Sequence, residues 1–245
     1  MNLDAVWHDL ECGGYGEDLA LWRELAARAG GPVLDVGAGT GRVTLELAAG
    51  GVEVAALDVD EPLLDALAVR AAGLPVQTTV ADARNFSLRR RFALIIVPMQ
   101  TLQLLGASSG RASFLRCALD HLEPGGLLAA AIADAMDCFD EDHDVPPPPE
   151  TREILGVRYA SQLLGVAEED GCAVLHRRRE IVRADGRAEA LDVLVHLDRV
   201  SADDVAAEAR PLGFVVEPHL CIPETEEYLG STVVVLRAPA IKAGT

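Results

Sequence analysis

Residues 33–42 read VLDVGAGTGR: a short apolar run with one acid inside it, then glycine at every second position. Gly30-Gly31-Pro32 breaks the helical pattern before it, in which Leu19, Trp22, Leu25, Ala26 and Ala29 share one face. Val33–Val36 then reads as a strand and Arg42–Ala49 as a helix closed by Gly50-Gly51. Gly37, Gly39 and Gly41 fall at the strand-to-helix turn, where the missing Cβ lets the backbone bend tightly and approach a ligand. In an open parallel sheet, ligands sit at the carboxyl ends of the strands where chain order reverses. The stretch therefore predicts an α/β fold with its site at this turn.

The next segments continue the pattern. Val52–Asp58 predicts a second strand, Pro62 sits at the start of a helix ending near Ala72-Gly73, and Val76–Ala81 and Phe92–Val97 predict two more strands. A helix over Ala112–His121 leads to a turn at Glu123-Pro124-Gly125-Gly126 and a fifth strand, Leu127–Ile132. Strands that are apolar throughout imply burial on both faces. The expected fold is a single α/β domain over residues 1–245, Rossmann-like, with a seven-stranded, mostly parallel sheet and helices on both faces.

The pattern changes at DCFDEDHDVPPPPE, an acidic, proline-ended connector over residues 137–150. Residues 157–200 predict three strands of an antiparallel meander, turning at Glu169-Asp170-Gly171 and Ala184-Asp185-Gly186. Residues 137–200 thus read as an insertion, a lid or a homodimer contact. Ser201 caps a helix with Asp203 and Asp204 in its first turn. Phe214–Ile222 and Thr232–Arg237 predict a hairpin on the sheet edge.

Half of the 245 residues are hydrophobic, enough for a sizeable core, and the formal net charge is −18. That charge repels nucleic acid and anionic membranes at long range, so neither is expected as a partner. Arg89-Arg90-Arg91, the one basic run, reads as a solvated turn. MNLDAVWHDL lacks the apolar core of a signal peptide and no apolar run is long enough to span a bilayer, so a cytoplasmic protein is expected. The five cysteines are scattered and form no Cys-x-x-Cys pair, and Asp140–Asp144 lacks the glycine turn of a calcium loop. No metal is expected.

The glycine spacing narrows the ligand. A dinucleotide fingerprint needs a glycine where Arg42 stands, and a P-loop needs Gly-Lys-Ser/Thr, which is absent. Asp58 ends the second strand roughly twenty residues after the first glycine, the step expected of a ribose-binding acid. Its carboxylate suits two ribose hydroxyls. Asp82 ends the third strand in the same way, and Asp35 lies just inside the first.

In order along the chain, VLDVGAGTGR, ALDVD, VADARNF, FALIIVPMQTLQLL and LEPGGLLAAAI resemble the successive motifs of the Rossmann-like S-adenosylmethionine-dependent methyltransferases, over about residues 8–135. The resemblance implies S-adenosylmethionine as cofactor. It places Asp35 and Gly37, Ala38, Gly39, Thr40 and Gly41 along the methionine part, and Asp58 on the ribose. Val59 would pack on adenine, Asp82 and the backbone of Ala83 would read its amino group, and Val97, Met99 and Gln100 would face the sulfonium. HDLECGGYGEDL resembles the segment that closes over the cofactor in many of these enzymes. His8 stands where tyrosine is usual there, which leaves His8 and Tyr15 as alternatives for the polar edge, with Tyr15 favoured. Val97-Pro98-Met99-Gln100 departs from the Asn/Asp-Pro-Pro-Tyr/Phe of base and amide N-methylating members, so a small-molecule acceptor is expected. Inserted sheets cover the site in small-molecule members, the sugar N-methyltransferases among them.

A sulfonium already activates its methyl group, so no covalent nucleophile is needed. His143, in the connector just past the fifth strand, is the candidate base for an acceptor that needs one, and Asp134 and Asp137 are candidates to hold a cationic amine. The competing readings are a binding protein without catalysis and a nucleotide-dependent oxidoreductase.

Overall fold

The computed structural model describes residues 2–133, 136–141, 144–225 and 228–240. The strand that precedes the glycines is central. β1 (Val33–Val36) pairs in parallel with β2 (Val54–Asp58) on one side and β4 (Phe92–Val97) on the other. β3 (Val76–Val80) continues the parallel sheet beyond β2, and β5 (Leu122–Ile132) continues it beyond β4. β12 (Ser231–Arg237) lies antiparallel to β5, and its outer edge is shared end to end by β10 (Val215–Val216) and β11 (Leu220–Ile222). Eight strands thus fill the seven expected positions, and the edge hairpin is interrupted. Chain order reverses between β1 and β4, which puts the crevice beside the glycine turn.

Alternate strand residues face opposite helical layers. Leu34, Val36, Ile95 and Val97 pack with Phe114 and Leu115 of α5 (Ala107–His121) and Val205 and Ala209 of α6 (Ala202–Ala209). Val33, Leu94 and Ile96 pack with Trp22 and Leu25 of α2 (Leu19–Ala29) and Val43 and Leu47 of α3 (Arg42–Ala49). Ala56, on that same face of β2, packs with Leu64 and Leu67 of α4 (Glu61–Arg70). β3 is the exception to two-sided burial: VQTTV is an edge strand with three exposed residues.

Two expectations need correction. The turn at Glu123–Gly126 lies inside β5, where pairing with β4 jumps from Phe92↔Leu122 to Leu94↔Leu127, so the extra residues form a bulge. The insertion has four strands, not three: β6 (Glu150–Ile154), β7 (Val157–Glu169), β8 (Cys172–Val182) and β9 (Ala188–Asp198) form one antiparallel sheet. β6 was hidden behind the four prolines. The structure also adds an element with no counterpart among the sequence expectations: α1 (Leu3–Cys12), a helix capped by the Asn2 side chain on the backbone N–H groups of Asp4 and Ala5.

The insertion is tied to the main sheet at its root. Gln103, in a short 3-10 turn after β4, receives the N–H of Ala133 on Oε1 and donates Nε2 to the carbonyls of Ala133 and Asp198. Arg111 of α5 reaches Asp198 at 2.9 Å and Glu208 at 2.7 Å. Farther out, the edge of β7 left free beyond β6 is taken by Phe139, whose backbone exchanges two hydrogen bonds with Val166.

Candidate active site

The carboxyl ends of β1, β2 and β4 open onto a cavity of about 830 Å³ whose far wall is the antiparallel sheet. Gly37 turns the chain at φ +73°, and the N–H groups of Gly37 and Ala38 both bond the Leu57 carbonyl at the end of β2. A Cβ on Gly37 would run into the Thr101 side chain, so only glycine lets the loop and the segment after β4 approach this closely. Met99 also sits at positive φ, +54°, a strained conformation for a non-glycine residue on the cavity wall.

Strand alternation carries Asp35 beneath the first turn of α3, where Thr44 donates its hydroxyl to Oδ2 at 2.6 Å. Asp35 Oδ1 is buried with no hydrogen-bond partner, and burial pushes the carboxyl up to about 6. At the tip of β2, Asp58 accepts the Gly39 N–H at 2.7 Å on Oδ2 and the Asp60 N–H at 3.0 Å on Oδ1. One carboxylate therefore clasps the glycine loop to the start of α4 while lining the cavity.

Arg42, the residue that breaks the dinucleotide spacing, has a structural duty. Its guanidinium pairs with the fully buried Asp18, at 2.7 Å for Nη2, donates to the Tyr15 carbonyl, and lies 5.0 Å from the Tyr15 ring centre. Trp22 Nε1 also donates to Asp18. This network holds Tyr15 on the cavity wall beside Tyr228, ring centres 5.0 Å apart. The Tyr15 hydroxyl is buried and unpartnered, and burial, with Asp18 nearby, pushes it up to about 12.

α1 bridges the glycine loop and the antiparallel sheet. The His8 ring packs on Gly39, where φ is +54° and an added Cβ would strike the imidazole. Thr40 Oγ1 donates to Asp9 at 2.7 Å, so the 3.1 Å contact between His8 Nδ1 and Thr40 Oγ1 has the imidazole as donor, and Nε2 is left as an acceptor. Burial lowers the His8 pKa despite Asp58, Asp9 and Glu11 nearby, consistent with a neutral ring. Asp9 is held by Arg70 at 2.6 Å. On the other side of α1, Arg179 of β8 grips Glu11 with two 2.7 Å bonds, Ser161 donates to Glu11, and Trp7 meets Tyr159 edge-on. Burial raises the Glu11 pKa, but the bonds from Arg179 and Ser161 outweigh it and the net shift is downward.

The expected site residues divide clearly. Tyr15, Asp35, Gly37, Ala38, Asp58, Val59, Asp82, Ala83, Met99 and Gln100 line the cavity. Gly39, Thr40, Gly41 and Val97 do not. Gly39 is covered by His8, Thr40 is buried between His8 and Asp9, Gly41 lies against Leu67, and Val97 is sealed in the sheet. Asp82 reaches the wall, but Arg84 holds both its oxygens and lowers its pKa. His143 and Asp134 lie outside the described residues, while Asp137 is on the wall. His8, given second place to Tyr15 in the sequence, lines the cavity together with it, and is the one histidine that does so among the described residues. His121 has a structural role, accepting the Leu88 N–H on Nε2 at 2.9 Å. The opening segment and the inserted sheet were expected over the site, but the individual contacts they make there went unread because those depend on tertiary folding. Among the described residues there is no metal-binding cluster, and no helix is long and apolar enough to cross a membrane.

Comparison with known proteins agrees with this geometry. Residues 33–126 match the methyltransferase domain family. A cypemycin N-terminal methyltransferase from Streptomyces sp is 32% identical over 111 residues, a match spanning 45% of this chain and 43% of that protein's length. The sugar N-methyltransferase KedS8 from Streptoalloteichus sp ATCC 53650 superposes with a TM-score of 0.76 at 17% identity, covering 97% of this chain and 92% of its own. S-adenosylmethionine-bound CalS10, an amino pentose methyltransferase from Micromonospora echinaspora, gives 0.71 at 18% identity with 97% of both chains covered. At such identities these two structures establish the fold. Taken together, the methyltransferase domain matched over residues 33–126 and the Rossmann-like architecture of the whole chain support a class I S-adenosylmethionine-dependent methyltransferase.

Proposed function

We propose that the protein transfers a methyl group from S-adenosylmethionine to a nitrogen of a small molecule. The observation that carries this reading is the single cavity joining two buried, unpartnered polar atoms, Asp35 Oδ1 and Tyr15 Oη, to the Asp58 carboxylate and to an enclosing sheet. Those atoms fit the cofactor: an amino acid end needs both a carboxylate and a hydroxyl, and a ribose needs an acceptor pair. Asp35 and Tyr15 would hold the methionine part, Asp58 the ribose, and Val59, Ala83 and Asp82 the adenine. When bound, the sulfonium supplies a methyl group already activated for transfer. The chain's own residues then orient the acceptor and exclude water.

The antiparallel sheet serves as a lid in this reading, because Leu163, Leu175 and Val195 of its strands face the cavity. Residues 1–245 form one methyltransferase unit, with 137–200 as connector and lid. Nitrogen is preferred to oxygen because KedS8 is described as a sugar N-methyltransferase and the cypemycin enzyme as an N-terminal methyltransferase. An amine also needs only to arrive neutral, and among the described residues the wall holds no paired nucleophile and base.

The test is release of S-adenosylhomocysteine when the protein is incubated with S-adenosylmethionine and a panel of primary and secondary amines and matched alcohols. Release with amines supports the reading. Binding of S-adenosylmethionine with no release across the panel would identify a binding protein instead.

A further inference from the structure

The lid carries one buried carboxylate oxygen that has an ion-pair partner but, among the described residues, no hydrogen bond. Glu150 opens β6 on the cavity wall, and its Oε2 is buried without a hydrogen-bond partner. Arg177 Nη1 is 3.5 Å from that oxygen, close enough to pair with its charge, but Arg177 directs its bond to Ser161 Oγ at 3.1 Å. A buried carboxylate oxygen left in this state lacks a donor. Glu11 close by is itself an acceptor, taken by Arg179 and Ser161, and supplies none. A ligand entering the cavity can bring that donor.

Position and charge say which ligand. Glu150 lies on the lid sheet opposite Ser161 of β7, whose hydroxyl reaches Glu11 of α1, so it faces the cavity from the lid side, across from the strand ends to which the cofactor is assigned. Six carboxylates and three arginines line the cavity among the described residues. Two of those arginines are committed, Arg42 to Asp18 and Arg84 to Asp82. Such a wall attracts cations and repels phosphate. Beyond Glu150, Leu163, Val166, Leu175, Val195 and Leu197 make the lid side apolar.

We propose that Glu150 receives the N–H of the methyl acceptor, and that the acceptor is an unphosphorylated amine with an apolar body lying against the lid. The proposal rests on the methyl-transfer reading above and adds the acceptor class and the residue that selects it.

The experiment titrates the protein, saturated with S-adenosylhomocysteine, by calorimetry with cyclohexylamine, 2-phenylethylamine and octylamine. Cyclohexanol and cyclohexyl phosphate serve as matched controls. At least one amine is expected to bind about tenfold or more tightly than the alcohol, a difference of about 1.4 kcal/mol, and the phosphate not at all. Glu150→Gln should remove that preference in a protein that still binds S-adenosylhomocysteine, and Glu150→Asp should restore part of it. Equal binding of amine and alcohol, tighter binding of the phosphate, failure of all three amines, or an unchanged preference in Glu150→Gln would overturn the proposal. The comparison within the native protein does not depend on any variant folding. Failure of S-adenosylhomocysteine itself to bind would instead defeat the methyl-transfer reading.

Discussion

Replacing Asp35 with asparagine separates what this carboxylate does for the fold from what it does for a ligand. Burial lifts its pKa from 3.8 to about 6, so above pH 6 the folded protein carries an ionised group that the unfolded chain would hold more comfortably. Two pKa units correspond to about 3 kcal/mol. The penalty is absent below pH 3.8, where both states are protonated, grows as pH rises through the interval, and is complete above about 6. Asparagine keeps an amide oxygen for the Thr44 hydroxyl and carries no charge. The unliganded Asp35→Asn protein should be more stable than the parent at pH 7.5 by about 1–3 kcal/mol, or roughly 3–9 °C in melting temperature. Near pH 4 the difference should shrink towards zero. Calorimetric melting at the two pH values reads both numbers. S-adenosylmethionine affinity should fall roughly ten- to hundredfold, because the variant presents an amide N–H where a charged acceptor faced the ligand. Unchanged or lower stability at pH 7.5, or full retention of affinity, would refute the assignment of Asp35 Oδ1 as a group held ready for a ligand.

Asp58→Ala should weaken S-adenosylmethionine binding by about 1–3 kcal/mol in a calorimetric titration, and also lower stability by about 1–2 kcal/mol because the Gly39 and Asp60 N–H bonds are lost. Gly39→Ala should abolish detectable cofactor binding and destabilise the chain by about 2 kcal/mol or more in urea unfolding. In a His8→Ala background that cost should fall to the roughly 1 kcal/mol of positive φ alone, and an undiminished cost would mean that the imidazole is not what excludes a side chain there. Arg179→Ala should speed hydrogen exchange in α1 and β8 without moving the global melting point by more than a few degrees, since it frees Glu11 from a partly exposed pair. Arg111→Ala strands Asp198 and Glu208 at the root of the lid, and urea unfolding should report a loss of about 3 kcal/mol.

The doubly wound half of the molecule was legible because its signals are local. A strand buried on both faces looks apolar throughout, a glycine turn follows it, and Asp58 falls at the end of the next strand, so the fold and the place of Asp58 on the cavity wall emerge from spacing alone. Asp82 was equally legible as a position, but its pairing with Arg84, two residues on, was not foreseen. Signals that need the tertiary fold were lost or half-read. Arg42 announced only that a dinucleotide turn was broken; its bond to Asp18, 24 residues earlier in the chain, requires α2 and α3 to meet. His8 was weighed as a substitute for tyrosine at the polar edge, whereas the helix that carries it and its packing on Gly39 went unnoticed. Glu150 was counted as the end of an acidic connector, because ETREI after four prolines has no clear strand pattern until β7 pairs with it. Lid residues alternate between cavity and solvent in a register fixed by a bulge between Leu163 and Gly165, which composition does not reveal.

The central claim is that the cavity beside Gly37 and Asp58 is built for S-adenosylmethionine. Isothermal titration of the purified protein with S-adenosylmethionine, and separately with NAD, tests it most directly. Saturable one-site binding of S-adenosylmethionine, with none for NAD, is the predicted result. Binding of NAD alone, or of neither compound, would contradict it.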